Sequence, residues 1–338
     1  MVTLKDVAKA AGVHPTTVSS VLNNASGNSR FGEATRRKVN QAAKRLGYAQ
    51  NRIASSLRTR KTGTVGLVAG NIQNPFFAAL SLQLERHLRA VGYDLLLTCH
   101  GADSAHDERH LALMLLGRSV DGLLIWSEQR DGRTLRLPSG LRTPRVWMGH
   151  GPRNEPAATI DIAAGIELAL SHLQQLGCRR LGYYAPSYAQ TAGLPKSRPD
   201  ILDETCQKLG MPSSVRLFFS EQSWNLGAAV QCATPLVLTA RREGVDAVLA
   251  YNDISAVGWH IAAQQIGFQV PVIGFDGSPL IKAWRPQLSH VDLHSDRLAK
   301  TAVQLLVALI KGESPAERRP SVNPTFVLSS DSPASEAE

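Results

Sequence analysis

Apolar residues recur along this chain with two different periods, and the change of period divides it. In Thr3–Asn23, TLKDVAKAAGVHPTTVSSVLN, positions Leu4, Val7, Ala8 and Ala11 fall at i, i+3, i+4 and i+7, which predicts one apolar face on a short helix. Gly12 stops that helix, because glycine readily takes the left-handed backbone of a C-cap. Pro15 then suits the first turn of a second helix, where no amide donor is missed, and Val18, Val21 and Leu22 give it a stripe. Val39, Ala42, Ala43 and Leu46 predict a third helix over Ala34–Leu46, ended by Gly47 with Tyr48 packing back. Gly32, ahead of it, offers no capping side chain. From residue 63 the pattern becomes short apolar runs separated by amphipathic stretches. Strands are predicted at Thr64–Ala69, Tyr93–Cys99, Asp121–Trp126 and Arg145–Gly149, with helices at Pro75–Val91 and Ser104–Leu116. A second set follows, with helices at Ala163–Leu176, Ser197–Leu209, Leu226–Arg242 and Ile254–Ile266. Its strands are Leu181–Ala185, Val215–Phe219, Ala247–Tyr251 and Val272–Phe275, and helix Ser295–Lys311 and a strand near Phe326–Leu328 complete it. Strands alternating with helices mean βαβ units and parallel sheets, and two such sets mean two similar lobes.

Charge sharpens this division. Residues 1–62 hold 12 Lys and Arg against two acidic residues, a net of +10, whereas the whole 338-residue chain is +9, so the remaining 276 residues stand at −1. A positive field confined to a small helical unit is the footprint of phosphate binding. Two short helices joined by a tight glycine turn form a helix-turn-helix, whose second helix enters the DNA major groove. Base-reading residues then lie on its solvent side near the N-terminus: Pro15, Thr16 and Ser20, with Thr17 and Ser19 near phosphates. His14 is placed to touch a phosphate.

Composition narrows the rest. With 43% hydrophobic and 19% charged residues, the chain reads as globular, and no apolar run approaches the roughly 20 residues of a membrane span. The N-terminus has no apolar signal region; a cytoplasmic location without membrane contact is expected. Cys99, Cys178, Cys206 and Cys232 lack CxxC spacing and read as buried small hydrophobes in a reducing compartment. No metal site and no cofactor are expected. The histidines form no HExxH or HxxEH spacing, no GxSxG elbow occurs, and GNIQNPFF is not a phosphate loop, so no catalytic set is expected.

The segments TLKDVAKAAGVHPTTVSSVLN, TRRKVNQAAKRLGYAQNRIASSLRT and TGTVGLVAGNIQNPFF resemble the lactose-repressor/galactose-repressor (LacI/GalR) family of bacterial transcription regulators. The resemblance implies an all-α helix-turn-helix headpiece plus hinge helix, followed by a two-lobed type I periplasmic-binding-protein-like α/β core with parallel-sheet, Rossmann-like lobes. The implied limits are 1–49 for the headpiece, 50–62 for the hinge and linker, 63–330 for the core and 331–338 for a disordered tail. Lobe one would span about 63–160 plus 288–316, and lobe two about 161–287 plus 317–330. The resemblance assigns Pro15, Thr16 and Ser20 to base readout and adds Thr3 and Asn23 to the DNA contacts. Ser20 departs from the family's common Arg and cannot hold guanine in a bidentate way. Asn51–Arg58 matches the hinge helix, with Leu57 as the wedge that opens the minor groove, Ala54 against the groove floor, and Arg52 and Arg58 at phosphates.

Ligands of open α/β lobes bind beyond the carboxyl ends of the strands. Asn74, Phe77, Trp126, Asp161, Arg198, Trp224, Asn252 and Asp276 stand at such ends, each matching a place where family members touch their effector. Arg, Asp and Asn with flanking aromatics suit a sugar-like ligand; a purine stacked on Phe77 would use the same groups. Asn252 and Asp276 could instead cap the helices that follow them, and Phe77 could be core. Gly277 stands where the family often has a second acid. The implied function is a repressor that binds double-stranded, near-palindromic operator DNA as a homodimer under a small-molecule effector. The tail DSPASEAE has no leucine heptad, so no tetramer is expected. The alternatives are a small-molecule-binding module without DNA function, and a regulator that answers to a partner protein or to no ligand.

Overall fold

The computed structural model describes residues 2–23, 31–48, 61–99, 105–127, 137, 141–149, 151–190, 197–220, 225–284 and 288–329. The chain divides into Met1–Thr62 and Gly63–Glu338.

The first unit is a three-helix cluster. Helix α1 (Leu4–Ala11) opens with a capping box: Asp6 N–H donates to Thr3 Oγ1, and Thr3 N–H donates to the Asp6 carboxylate at 2.8 Å. Gly12, with φ 65°, ends it in the left-handed region that glycine enters without cost. Helix α2 (Pro15–Asn23) and helix α3 (Glu33–Arg45) follow. Val7, Ala8, Val18, Val21, Val39, Ala42 and Ala43 form the core, the periodic positions of the three helices. Gly32 starts α3 with no side-chain cap, and Tyr48 N–H donates to Ala43 O beyond Gly47.

The second unit holds two parallel sheets. Lobe one has β1 (Thr64–Ala69), α4 (Pro75–Ala90), β2 (Asp94–Cys99), α5 (Ala105–Gly117), β3 (Gly122–Ser127), β4 (Arg145–Gly149) and β5 (Ala157–Ile160). Lobe two follows with α6 (Ile162–Gln175), β6 (Leu181–Pro186), a 3-10 turn (Ser187–Gln190), α7 (Arg198–Lys208), β7 (Val215–Phe219), α8 (Leu226–Arg242), β8 (Ala247–Ala250), α9 (Asp253–Ile266), β9 (Val272–Asp276), α10 (Pro279–Ala283) and β10 (His290–Asp292). The chain closes with α11 (Ser295–Ile310), β11 (Ser321–Val322) and β12 (Thr325–Val327). The sheets run β11-β5-β4-β3-β1-β2 and β12-β10-β9-β8-β6-β7, all parallel except the β10–β12 pair. Strands buried on both faces, such as β6 and β8, read as continuous apolar runs.

The lobe limits differ from the expectation in two places. β10 pairs with β9, so residues 290–292 belong to lobe two, and β11 pairs with β5, so Ser321 and Val322 belong to lobe one. The chain therefore crosses between lobes at Asp161, at Leu293–His294 and just after Val322. These crossings lie together: Asp161 N–H donates to Val322 O at 3.1 Å, and Thr325 Oγ1 is 3.0 Å from His294 Nε2. A second correction concerns Cys99, which is exposed, because β2 is a sheet edge rather than an interior strand; Cys206 is buried and Cys178 and Cys232 are half-buried. Among the described residues no helix is long and apolar enough to cross a membrane, and no group of three His, Cys, Asp or Glu is placed to hold a metal.

Candidate functional site

In the first unit, Thr16 and Ser20 are exposed on one side of α2 while Val18 and Val21 are buried on the other; Pro15, Thr17 and Ser19 are half-buried. Helical spacing brings Thr16 and Ser20 together as an i, i+4 pair. His14 is the N-cap of α2: its carbonyl accepts from Thr17 N–H at 2.9 Å, and its Nδ1 lies 2.8 Å from Thr16 Oγ1 and 3.4 Å from Thr16 N. The ring thus does what a capping serine does, and it ties up the Thr16 hydroxyl. Thr3 is exposed but committed to the cap of α1. Asn23 is the last residue of α2. Arg52, Ala54, Leu57 and Arg58 lie outside the described residues. Arg37, Lys38, Lys44 and Arg45 are exposed on α3.

In the second unit, the sequence-derived residues sort into three groups. Asn74, Asp161 and Asn252 are helix caps: their Oδ1 atoms accept from Phe76, Ala164 and Ser255 N–H at 3.0, 2.9 and 2.9 Å. Phe77, 5% exposed, lies in the core as its alternative reading had it, and with half-buried Trp126 it forms an aromatic wall in lobe one. Their rings meet edge to face at 5.1 Å, and Phe76 meets them at 5.4 and 5.6 Å. The wall needs two glycines. A Cβ on Gly70 would lie 2.5 Å from Phe77, and one on Gly149 would lie 3.1 Å from Trp126.

Arg198 and Asp276 form the third group. Capping-box residue Ser197 starts α7 and sets Arg198 at its first position. The guanidinium lies over the Tyr251 ring at 4.4 Å and the Phe275 ring at 4.7 Å, and donates to Tyr251 O at 2.6 Å. Such stacking is what the planar guanidinium, unlike an ammonium, does well. Burial opposes its charge, but Tyr251, Tyr183, Asp276 and Tyr188 around it outweigh that and hold it more firmly protonated. Asp276 caps no helix: α10 is entered from Ser278, and Asp276 itself sits at φ 136° at the end of β9. The capping alternative therefore holds for Asn252 and fails for Asp276. Gly277, at φ 71°, has no space for a second acid, since a Cβ there would lie 2.4 Å from Asp292 Cγ. Trp224 lies outside the described residues. Sequence reasoning missed Tyr251, Tyr188, Asp253, Ser278 and Asp292; only Tyr251 carried a signal, as an aromatic at the end of a strand.

A basic helix-turn-helix unit ahead of a two-lobed α/β core, with an Arg–aromatic cluster at the carboxyl edge of one sheet, is the architecture of a DNA-binding regulator with an effector-binding domain. Comparisons identify the kind. The description "Bacterial regulatory proteins, lacI family" matches residues 3–51, and "Periplasmic binding protein-like domain" matches residues 170–328. The HTH-type transcriptional repressor PurR of Photobacterium profundum is 30% identical over 336 residues, covering 97% of this chain and 98% of its own. PurR of Aliivibrio salmonicida is 29% identical over 339 residues, with 97% and 98% covered. Among solved structures, the lac repressor dimer bound to operator and the anti-inducer ONPF aligns with TM-score 0.77 at 21% identity over 97% of this chain and 98% of that one. The transcriptional regulator CelR–cellobiose complex aligns with TM-score 0.65 at 25% identity over 98% and 100%. The chain belongs to the lacI family: it is a DNA-binding transcriptional repressor with an effector-binding domain, and the family is not enzymatic.

Proposed function

We propose that this repressor binds a near-palindromic operator as a homodimer in the cytoplasm and responds to a sugar-like effector held between the two lobes. Pro15, Thr16 and Ser20 read base edges; Thr3, His14, Thr17, Ser19 and Asn23 contact the backbone. Leu57 wedges the minor groove with Ala54 against its floor, and Arg52 and Arg58 meet phosphates. The observation that carries the effector assignment is Arg198, stacked on Tyr251 and Phe275 with Asp276 beside it. That pair can bridge vicinal hydroxyls of a ring, and the Phe77–Trp126 wall can cover its apolar face. The cellobiose held by the CelR relative points the same way. A second reading is favoured by the same wall: a flat purine stacked on Phe77, its ring nitrogens on Arg198 and Asp276. Asn74, Asp161 and Asn252, beyond their capping contacts, and Trp224 are the further residues that would touch the effector in either case.

Dimer contacts fall to lobe one, where Leu82 on α4, Leu97 on the edge strand β2, and Leu113 and Met114 on α5 are exposed. Sedimentation at micromolar concentration tests this: a dimer is expected, and a tetramer or a monomer refutes it. The effector reading is tested by thermal-shift screening of the full chain against sugars, sugar phosphates, polyols, purines and nucleosides. A ligand at about 100 times its Kd adds roughly 2.7 kcal/mol. The hit must vanish in Arg198→Ala and Asp276→Ala. A hit that survives both substitutions removes the assigned pocket, and a chain that answers to no ligand at all favours the ligand-independent regulator.

A further inference from the structure

Asp276 is a non-glycine residue in a backbone conformation that L-residues rarely adopt, with φ 136° followed by Gly277 at 71°. Such strain persists only where surrounding contacts over-determine it. The contacts here include two backbone amides. Ser278 N–H donates to Asp253 Oδ2 at 2.6 Å, and Leu293 N–H, on the crossing between lobes, donates to Asp276 O at 3.1 Å. Asp253 is the first residue of α9 and 1% exposed. Its other oxygen, Oδ1, is buried without a hydrogen bond among the described residues. That oxygen lies where a Cβ on Gly274 would come within 2.8 Å. Next along stands Asp292, 9% exposed and paired in register with Asp276. It accepts from Lys282 Nζ at 2.7 Å and from His294 N–H at 2.8 Å.

Two carboxyls thus share one buried corner with one lysine. Burial pushes Asp253 up to about 7, with Asp292 adding to the rise and the Ser278 contact and Lys282 working against it. The remaining titratable neighbours are His290, fully buried, at hydrogen-bond distance through Nδ1 from Leu288 O and held below its usual value by burial; His294, whose ring nitrogen is 3.7 Å from Asp292; and Asp276 itself.

We propose that Asp253 and Asp292 form a proton-carrying latch: one proton on Asp253 Oδ1 keeps the Asp276–Ser278 loop closed over the pair, which sets Asp276 beside Arg198 and anchors the Leu293 crossing. Asp253 is therefore a positioning residue for the effector site, a role that rests on reading Asp276 as an effector ligand. Loss of the proton leaves a buried charge opposite Asp292 with Oδ1 still unsatisfied. Water reaches it only if the loop lifts, so ionisation drives opening. The closed loop binds the proton more tightly than the open one, and by linkage the loop closes less firmly as pH rises toward neutrality. Effector affinity then falls in the same direction.

Hydrogen exchange on the full chain without ligand tests the latch. Protection of the Ser278 and Leu293 amides, corrected for intrinsic exchange, should fall about tenfold between pH 6 and pH 8, the ratio that linkage gives for a carboxyl moved from about 4 to about 7. Asp253→Asn keeps an acceptor for the Ser278 amide without a titrating charge, so its protection should not vary with pH. Asp292→Asn removes the repulsion and should move the transition to lower pH. Carbon NMR of labelled aspartates should show one carboxyl titrating near neutrality in the wild type and none in Asp253→Asn. Equal pH dependence in the wild type and in Asp253→Asn would overturn the proposal, as would aspartates that all titrate in the ordinary carboxylate range. A loop that responds to pH in a protein whose ligand binding ignores Asp276→Ala would support the latch and defeat the effector role of Asp276 alone.

Discussion

His14 shows how one side chain can serve the fold at a position proposed to meet DNA. Its ring nitrogen approaches Thr16 and its carbonyl accepts the first amides of α2, so its energetic role is that of an N-cap, for which alanine costs about 1 kcal/mol. Exchange measured over the first unit of the full chain should speed up about fivefold in His14→Ala, as that cost implies, and His14→Ser should restore it. If His14→Ala left exchange unchanged and weakened only DNA binding, the cap reading would fail. Arg198 makes a contrasting case. It was legible as an arginine at the carboxyl edge of lobe two, where a scaffold has little need of one. Its partners were not legible: Tyr251 and Phe275 lie 53 and 77 positions away and meet it through the pairing of β6 with β8 and of β8 with β9. Arg198→Lys keeps the charge and loses the planar stack, so the ligand-induced melting shift should shrink nearly as far as in Arg198→Ala. A full shift in the lysine variant would mean that charge alone matters there.

Elements declared themselves in the sequence in proportion to their length. The three headpiece helices and the long α/β elements follow from apolar periodicity, because each buries a face of its own. β5, β10 and β11, with four, three and two residues, and the five-residue α10 were not legible. Such pieces carry too little period to be seen. They exist because a neighbouring edge accepts them, as β5 accepts β11 through Ser321 opposite Thr159. This is also why the lobe limits implied by the resemblance, at about 288 and 317, differ from the strand pairing. Close approach of elements was equally hidden. α8 and α9 pack through Gly258, where a Cβ would lie 2.6 Å from the Ala229 Cβ and 2.8 Å from its backbone carbon. Backbone cannot yield as a flexible side chain can. Gly258→Ala should therefore destabilise the protein by about 1–3 kcal/mol, the usual cost of overpacking, despite alanine's better helix propensity. Chemical denaturation of the full chain would show it, and a stabilised variant would mean that the helices can part freely.

At the scale of the whole molecule, charge and protons are distributed unevenly, and both distributions have measurable consequences. Residues 1–62 carry +10, whereas the remaining 276 residues carry −1. Phosphate binding releases counterions, so log K falls with log salt at about 0.9 per phosphate contacted. Substituting Lys44 and Arg45, both exposed on α3, with alanine should flatten that slope if they touch phosphates, while Arg179→Ala in the core should leave it unchanged. Protons act on the other unit. Burial raises Asp253 to about 7, so the stability it contributes is complete below about 4, the ordinary aspartate value, and is lost as pH climbs from there through about 7. Burial lowers His172, His260 and His290. Each is kept neutral in the fold, so its contribution is complete above the ordinary value of about 6.5 and is lost as pH drops below it. Between about pH 5 and pH 7 the two effects run in opposite directions and partly cancel. Asp253→Asn leaves the histidines alone to act. Its melting temperature should therefore climb more steeply from pH 5 to pH 7 than that of the wild type. Parallel curves for the two proteins would assign the response to other groups, and the pair beneath Asp276 would then carry no share of it.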